Sequence, residues 1–148
     1  MRLYLDLCCL NRPFDDQTQD RIRLESEAVI LILGHITAGE WELVGSEVLQ
    51  FEIEQTPDSA RGERVRELTL TARYFVRVGA SEIARAEELE AMGFRAYDAL
   101  HLACAEAGGA EAFLSTDDQM LRVASRGSKR LRLRVANPEV WIREMTER

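Results

Sequence analysis

Leucines at 3, 5 and 7 alternate with Tyr4 and Asp6, which predicts a strand over residues 2–7 with Asp6 near its carboxyl end. A polar, turn-rich tract, NRPFDDQTQD, follows. The period then changes. Ile22, Ala28, Val29, Ile32, Leu33 and Ile36 recur at helical spacing and predict a helix over 20–38, weakened at Gly34 and closed at Gly39. Residues 41–45 (WELVG) read as a second strand. Ser46 reads as the N-cap of a helix running to about Gln55, which Pro57 stops. A polar helix is expected over 58–72, a third strand over 74–78, and a helix capped by Ser81 and ended by Gly93. Residues 96–107 (AYDALHLACAEA) are apolar on most sides, the mark of a central, buried helix, and Gly108-Gly109 closes it. A strand over 112–115, a helix opened by Thr116 or Asp117, a last strand over 131–135 and a helix starting at Asn137-Pro138 complete the series.

Strands alternating with helices imply a mostly parallel sheet covered on both faces, a three-layer α/β/α sandwich. At 148 residues the simplest organisation is one domain over 1–148. In open sheets of this kind ligands bind beyond the carboxyl ends of the strands. Asp6 and Asp117 are expected there. Asp98 falls in the first turn of the central helix, where the helix dipole favours an anion.

Charge and cysteine content narrow the function classes. A net charge of −7 argues against a protein that coats nucleic acid broadly, though not against an enzyme that meets it locally. Three cysteines (Cys8, Cys9 and Cys104) make no disulfide framework and no Cys/His metal spacing, so a reducing cytoplasm is the economical reading. The apolar start is short and interrupted by Asp6, which fits neither a signal peptide nor a membrane span.

The candidate chemistry rests on four acids: Asp6, Glu52, Asp98 and Asp117. Of 148 residues 26 are Asp or Glu, and most acids are solvated surface, so only the shared context of these four carries weight. Each punctuates an apolar element. Carboxylates gathered in one place repel, and a divalent cation relieves that repulsion. Oxygen donors favour Mg²⁺ or Mn²⁺ over zinc. Arg12 and Asn11, close to Asp6 in sequence, are the expected substrate contacts, since arginine can pair bidentately with phosphate. His101 reads as a structural histidine, because no second His or Cys is placed to complete a transition-metal site. Arg130, Arg132 and Arg134 read as charged protection of an edge strand.

The motifs in this order resemble the PIN-domain family, whose small members include VapC-like toxin ribonucleases. The resemblance covers the whole chain. It is carried by Asp6 in LYLDLCCLNRPFDD, by Ser46 and Glu52 in SEVLQFEIEQ, by Asp98 in YDALHLACAEAG and by Asp117 in FLSTDDQML. One departure is that Leu7, Cys8 and Cys9 follow Asp6, where small toxins often have Thr and Asn or Ser. Support of that carboxylate would then fall to backbone N–H groups or Asn11. The resemblance implies hydrolysis of RNA phosphodiesters with Mg²⁺ or Mn²⁺, catalytic and metal-binding roles for the four acids, and a small antitoxin partner. The 20–38 and 58–72 helices could carry a homodimer interface. Two other readings compete. One is a receiver-like signalling domain, which needs a lysine at a late strand end, and Lys129, the only lysine, precedes a strand instead. The other is a catalytically silent interaction domain of the same fold.

Overall fold

The structure, a computed structural model, describes residues 1–147. Five strands, β1 (Arg2–Leu5), β2 (Glu42–Ser46), β3 (Tyr74–Val76), β4 (Ala112–Leu114) and β5 (Arg134–Ala136), form one sheet in the order β3-β2-β1-β4-β5, every pair parallel. Eight α-helices flank it: α1 (Leu7–Asn11), α2 (Asp20–Thr37), α3 (Glu47–Glu54), α4 (Ser59–Thr69), α5 (Ala80–Ala91), α6 (Ala96–Ala107), α7 (Asp118–Arg126) and α8 (Pro138–Thr146). This is the expected α/β/α sandwich.

β1 is the central strand, with Leu3 paired to both Leu43 and Ala112. Leu3, Tyr4 and Leu5 are all fully buried, as befits a strand covered on both faces. Tyr4 stacks on Phe113, its register partner in β4, with centroids 5.1 Å apart. α6 lies over β2 and β3. Its close approach is set at Gly108, where a Cβ would fall 2.6 Å from Val44 Cγ1. Gly109, at φ 75°, then turns the chain toward β4 in a conformation that favours glycine. α2 packs on α8, and Trp41 sits edge-on to Trp141 beneath them.

Four local expectations change. Residues 7–11 form α1 rather than the end of β1 and a turn, because the Asp6 side chain accepts from Leu7 N–H and starts a helix at once. Gly79, not Ser81, precedes α5. Glu82 accepts from Gly79 N–H at 2.9 Å, and Ser81 donates to the same carboxylate. β3 ends at Val76, and Val78 N–H goes instead to Glu47 Oε1. β5 begins at Arg134, not residue 131. Arg85 holds the Arg130 carbonyl and the buried Glu106 carboxylate takes Arg132 N–H, so 130–132 stay outside the sheet. The expected arginine strand is therefore broken, and only Arg134 lies on it, paired with Glu144 at 2.6 Å. No helix among the described residues is long and apolar enough to cross a membrane.

Candidate active site

In the strand order 3-2-1-4-5 the connections diverge between β1 and β4, and the crevice beyond their carboxyl ends is where such sheets bind ligands. Asp6 immediately follows β1, and Ser115 immediately follows β4. Asp6 is buried. Its Oδ1 accepts from Leu7 N–H at 2.8 Å, and its Oδ2 accepts from the Ser115 hydroxyl at 2.9 Å and from Cys8 Sγ at 3.4 Å. The hydroxyl support absent from the residues after Asp6 thus arrives from the end of β4. Burial pushes the Asp6 carboxyl above its ordinary range. His101, Ser115 and Cys8 pull it back, and Glu52 adds to the rise.

Asp117 caps α7, accepting from Gln119 and Met120 N–H through Oδ1, and its Oδ2 pairs with Arg95 at 3.2 Å. Asp98, half-buried in the first turn of α6, is pushed up to about 6, first by burial and then by the charges of Asp6 and Asp117, with His101 and Arg95 opposing. Three carboxylates from three separate segments therefore share one field.

Glu52 reaches this region from α3. Its Oε1 meets Nε2 of His101, which is buried in α6. His101 Nδ1 lies 2.6 Å from the Tyr4 hydroxyl, itself 2.6 Å from Ser46 Oγ. Ser46 Oγ also accepts from Leu49 N–H and caps α3. Counting protons orders the chain: Ser46 donates to Tyr4, Tyr4 to His101 Nδ1, and His101 Nε2–H to Glu52. Desolvation holds the Tyr4 phenol well above its ordinary pKa, so it keeps the proton that this order requires. His101 is structural, as its sequence context suggested, but what it supports is Glu52.

The remaining expectations fare differently. Arg12 is drawn away from the crevice: its Nε bonds the buried Glu25 at 2.9 Å and its Nη1 bonds Asp15 at 3.0 Å. Glu25 also takes Arg21 and Asn137, so this network ties α2 to the start of α8. Among the described residues Asn11 makes no side-chain hydrogen bond to Asp6. Its Oδ1 is buried without a hydrogen-bond partner. Glu47 points to Val78, Asp118 pairs with Arg21, and Asp16 caps its own turn at Thr18. Lys129 is exposed in a 3₁₀ turn before β5, at the opposite end of the strands from the acids, which removes the receiver-type lysine. No three His, Cys, Asp or Glu side chains among the described residues are already drawn together as an ion's ligands. Sequence reasoning missed Tyr4, Arg95 and Glu25. Arg95, three residues before Asp98, carried the only local signal.

A family model described as PIN domain matches residues 3–126. No curated protein matches the chain. Among solved structures, VapBC2 from Rickettsia felis bound to a DNA fragment from their promoter is similar in fold, with 13% identity and a TM-score of 0.55 over 93% of this chain and 98% of that one. PAE2754 from Pyrobaculum aerophilum is similar at 12% identity and a TM-score of 0.55, over 97% of this chain and 88% of that one. With the family model matching residues 3–126 on this parallel α/β sheet, the chain belongs to the PIN-domain family of nucleases.

Proposed function

We propose that this chain is a metal-dependent endoribonuclease acting as the toxin of a toxin–antitoxin module. The observation that carries the reading is the convergence of Asp6, Asp98 and Asp117 on one crevice, with the Asp98 carboxyl raised to about 6 first by burial and then by the charges of Asp6 and Asp117. Residues that only decorated a surface would not burden one another in this way. The donor set fits Mg²⁺ or Mn²⁺, being all-oxygen and acidic. Asp6 and Asp98 would hold the main ion, with Glu52 and Asp117 at its margin. When bound, the ion supplies charge stabilisation at the phosphate and a more acidic water.

The chain's own residues supply aim. Leu7 N–H and Ser115 fix both oxygens of Asp6. The Ser46–Tyr4–His101 chain directs Glu52. Arg95, mostly exposed and seated beside Asp117, is better placed than Arg12 to meet a phosphate. The toxin part rests on the family and on the likeness to the Rickettsia felis VapBC2 structure. A small antitoxin offering an arginine to the acidic crevice is the partner this chemistry suits, and the reducing cytoplasm is the compartment.

The test is incubation of purified protein with end-labelled RNA, with Mn²⁺ or with chelator. Internal cleavage in Mn²⁺ that stops in chelator is expected. Equal cleavage in chelator, or none in either, overturns the nuclease reading. Expression that leaves host growth untouched while cleavage persists overturns only the toxin part.

A further inference from the structure

Residues 119–137 carry six basic side chains and no acid in a chain of net charge −7, so the rest of the chain carries −13. The six are Arg122, Arg126, Lys129, Arg130, Arg132 and Arg134, and all are exposed. Shielding of an edge strand explains only Arg134, which lies on β5 and pairs with Glu144. The other five make no ion pair among the described residues. Arg122 and Arg126 are four residues apart on α7 and share its exposed face. α7 starts at the crevice, where Asp117 caps it, and Arg126 ends it. The row therefore leads away from the acids to the 3₁₀ turn Ser128–Arg130 and on to Arg132. That turn is held from below. Arg85 donates to the Arg130 carbonyl at 2.7 Å, and its buried partner Glu106 accepts from Arg132 N–H at 2.9 Å. A buried ion pair thus fixes a stretch of backbone whose own basic side chains stay free.

Resting on the nuclease reading, we propose that Arg122, Arg126, Lys129, Arg130 and Arg132 form a docking surface for the phosphate backbone of the RNA substrate, apart from the crevice, and that this surface supplies most of the substrate's affinity. The crevice, with its clustered carboxylates, repels a phosphate until a cation is bound. The basic row has the opposite field. α7 is nine residues long and spans about 13 Å, more than the Debye length of about 8 Å at 0.15 M salt, so the acids do not cancel the charge at its far end. Four of the five residues are arginines, which pair bidentately with phosphate. No aromatic residue lies between 117 and 140, so contact here reads charge and not bases. An RNA that reaches both places must extend past the cut by the length of α7. One that fills only the crevice cannot use the surface.

The test separates binding from cleavage. A labelled RNA of about 16 nucleotides is titrated into the protein in chelator, with fluorescence anisotropy as the readout, at salt concentrations on either side of about 0.15 M. Expected is a Kd that weakens with salt. Combined Arg126→Glu, Lys129→Glu and Arg130→Glu should raise Kd at least about tenfold and flatten the logarithmic salt slope by about 2, while combined Arg126→Lys and Arg130→Lys should bind nearly as wild type. All three side chains are exposed, so the melting temperature should hold. In Mn²⁺ the charge-reversed protein should show a raised KM and an unchanged kcat on the long RNA, and wild-type values on an RNA of about 4 nucleotides. Charge-reversed protein that binds the long RNA like wild type, a KM raised equally on both RNAs, or no RNA binding at all would overturn the surface. Poly-glutamate bound by wild type in place of RNA would assign it to an acidic protein and overturn it too. Charge-dependent RNA binding without Mn²⁺-dependent cleavage overturns the nuclease reading and leaves the surface standing. Mn²⁺-dependent cleavage with a KM indifferent to the substitutions does the reverse.

Discussion

Tyr4→Phe isolates the support of Glu52 from Glu52 itself. The ring stays in place on Phe113, so packing is nearly unchanged and only the hydroxyl is lost. That hydroxyl bridges two buried groups, Ser46 Oγ and His101 Nδ1. Ser46 keeps its bond to Leu49 N–H, but its own proton loses its acceptor, and His101 Nδ1 loses its donor. Each orphaned buried group costs about 1–3 kcal/mol, and with partial repair a total of about 2 kcal/mol is expected. For a chain of this size that is about 4–8 °C in Tm, readable by circular dichroism or calorimetry. The imidazole, freed on one side, no longer fixes Glu52. Cleavage should fall by about 10–100-fold, the usual loss when the group behind a metal-site carboxylate is removed. The diagnostic result is a fall in rate larger than the fall in stability explains, measured well below the variant's Tm. A Tyr4→Phe protein melting within about 1 °C of wild type and cutting RNA at the same rate would refute the assigned chain of hydrogen bonds.

Asp98→Asn should stabilise the metal-free protein near neutral pH. The folded-state pKa of Asp98 is raised to about 6 from 3.8, so its contribution is fully present below 3.8 and is lost as pH rises through about 6. Chemical denaturation in chelator should show a gain on the order of 1 kcal/mol at pH 7.5, after discounting for the solvent that reaches a half-buried group, and none at pH 3.5; equal effects at both would show that its charge is not under strain. Glu52→Gln should lower cleavage by orders of magnitude, while Glu47→Gln, about 140° around α3 and bonded to Val78 N–H, should leave the rate intact; the reverse ranking in a Mn²⁺ activity titration assigns the second motif to the wrong acid. Glu25→Ala removes the buried carboxylate that joins Arg12, Arg21 and Asn137, leaves Arg12 its bond to Asp15 and Arg21 its pair with Asp118, and should cost about 2–3 kcal/mol in urea denaturation, whereas an unchanged midpoint would mean that the network is dispensable.

The architecture was legible because strand and helix periods alternate cleanly and the central elements are strongly apolar. The shortest signals failed. Nothing in LCCLN distinguishes the end of a strand from a helix until Asp6 is seen to cap it. LRLRV alternates like a strand, but the tertiary bonds from Arg85 and Glu106 hold its first residues off the sheet. The candidate acids stood out by their recurrence after strands and in helix starts, although Asp6 and Asp117 each also cap a helix there. Their supports did not. Tyr4 looked like an ordinary strand aromatic, and its link to Ser46 and His101 spans 42 and 97 residues of chain, a distance no local pattern records. The pairing of Arg12 was hidden for the converse reason: sequence proximity to Asp6 says nothing about the buried Glu25 that holds its side chain.

Asp6 after β1, Glu52 on α3, Asp98 on α6 and Asp117 at the start of α7 would act as one cation site. Calorimetric titration of Mn²⁺ into wild type, Asp6→Asn, Asp98→Asn and Glu52→Gln tests it without RNA. Expected is saturable binding to wild type that weakens at least about tenfold in Asp6→Asn and Asp98→Asn and less in Glu52→Gln. Wild-type binding that survives both aspartate substitutions unchanged, or no binding to the wild-type protein at all, would contradict it.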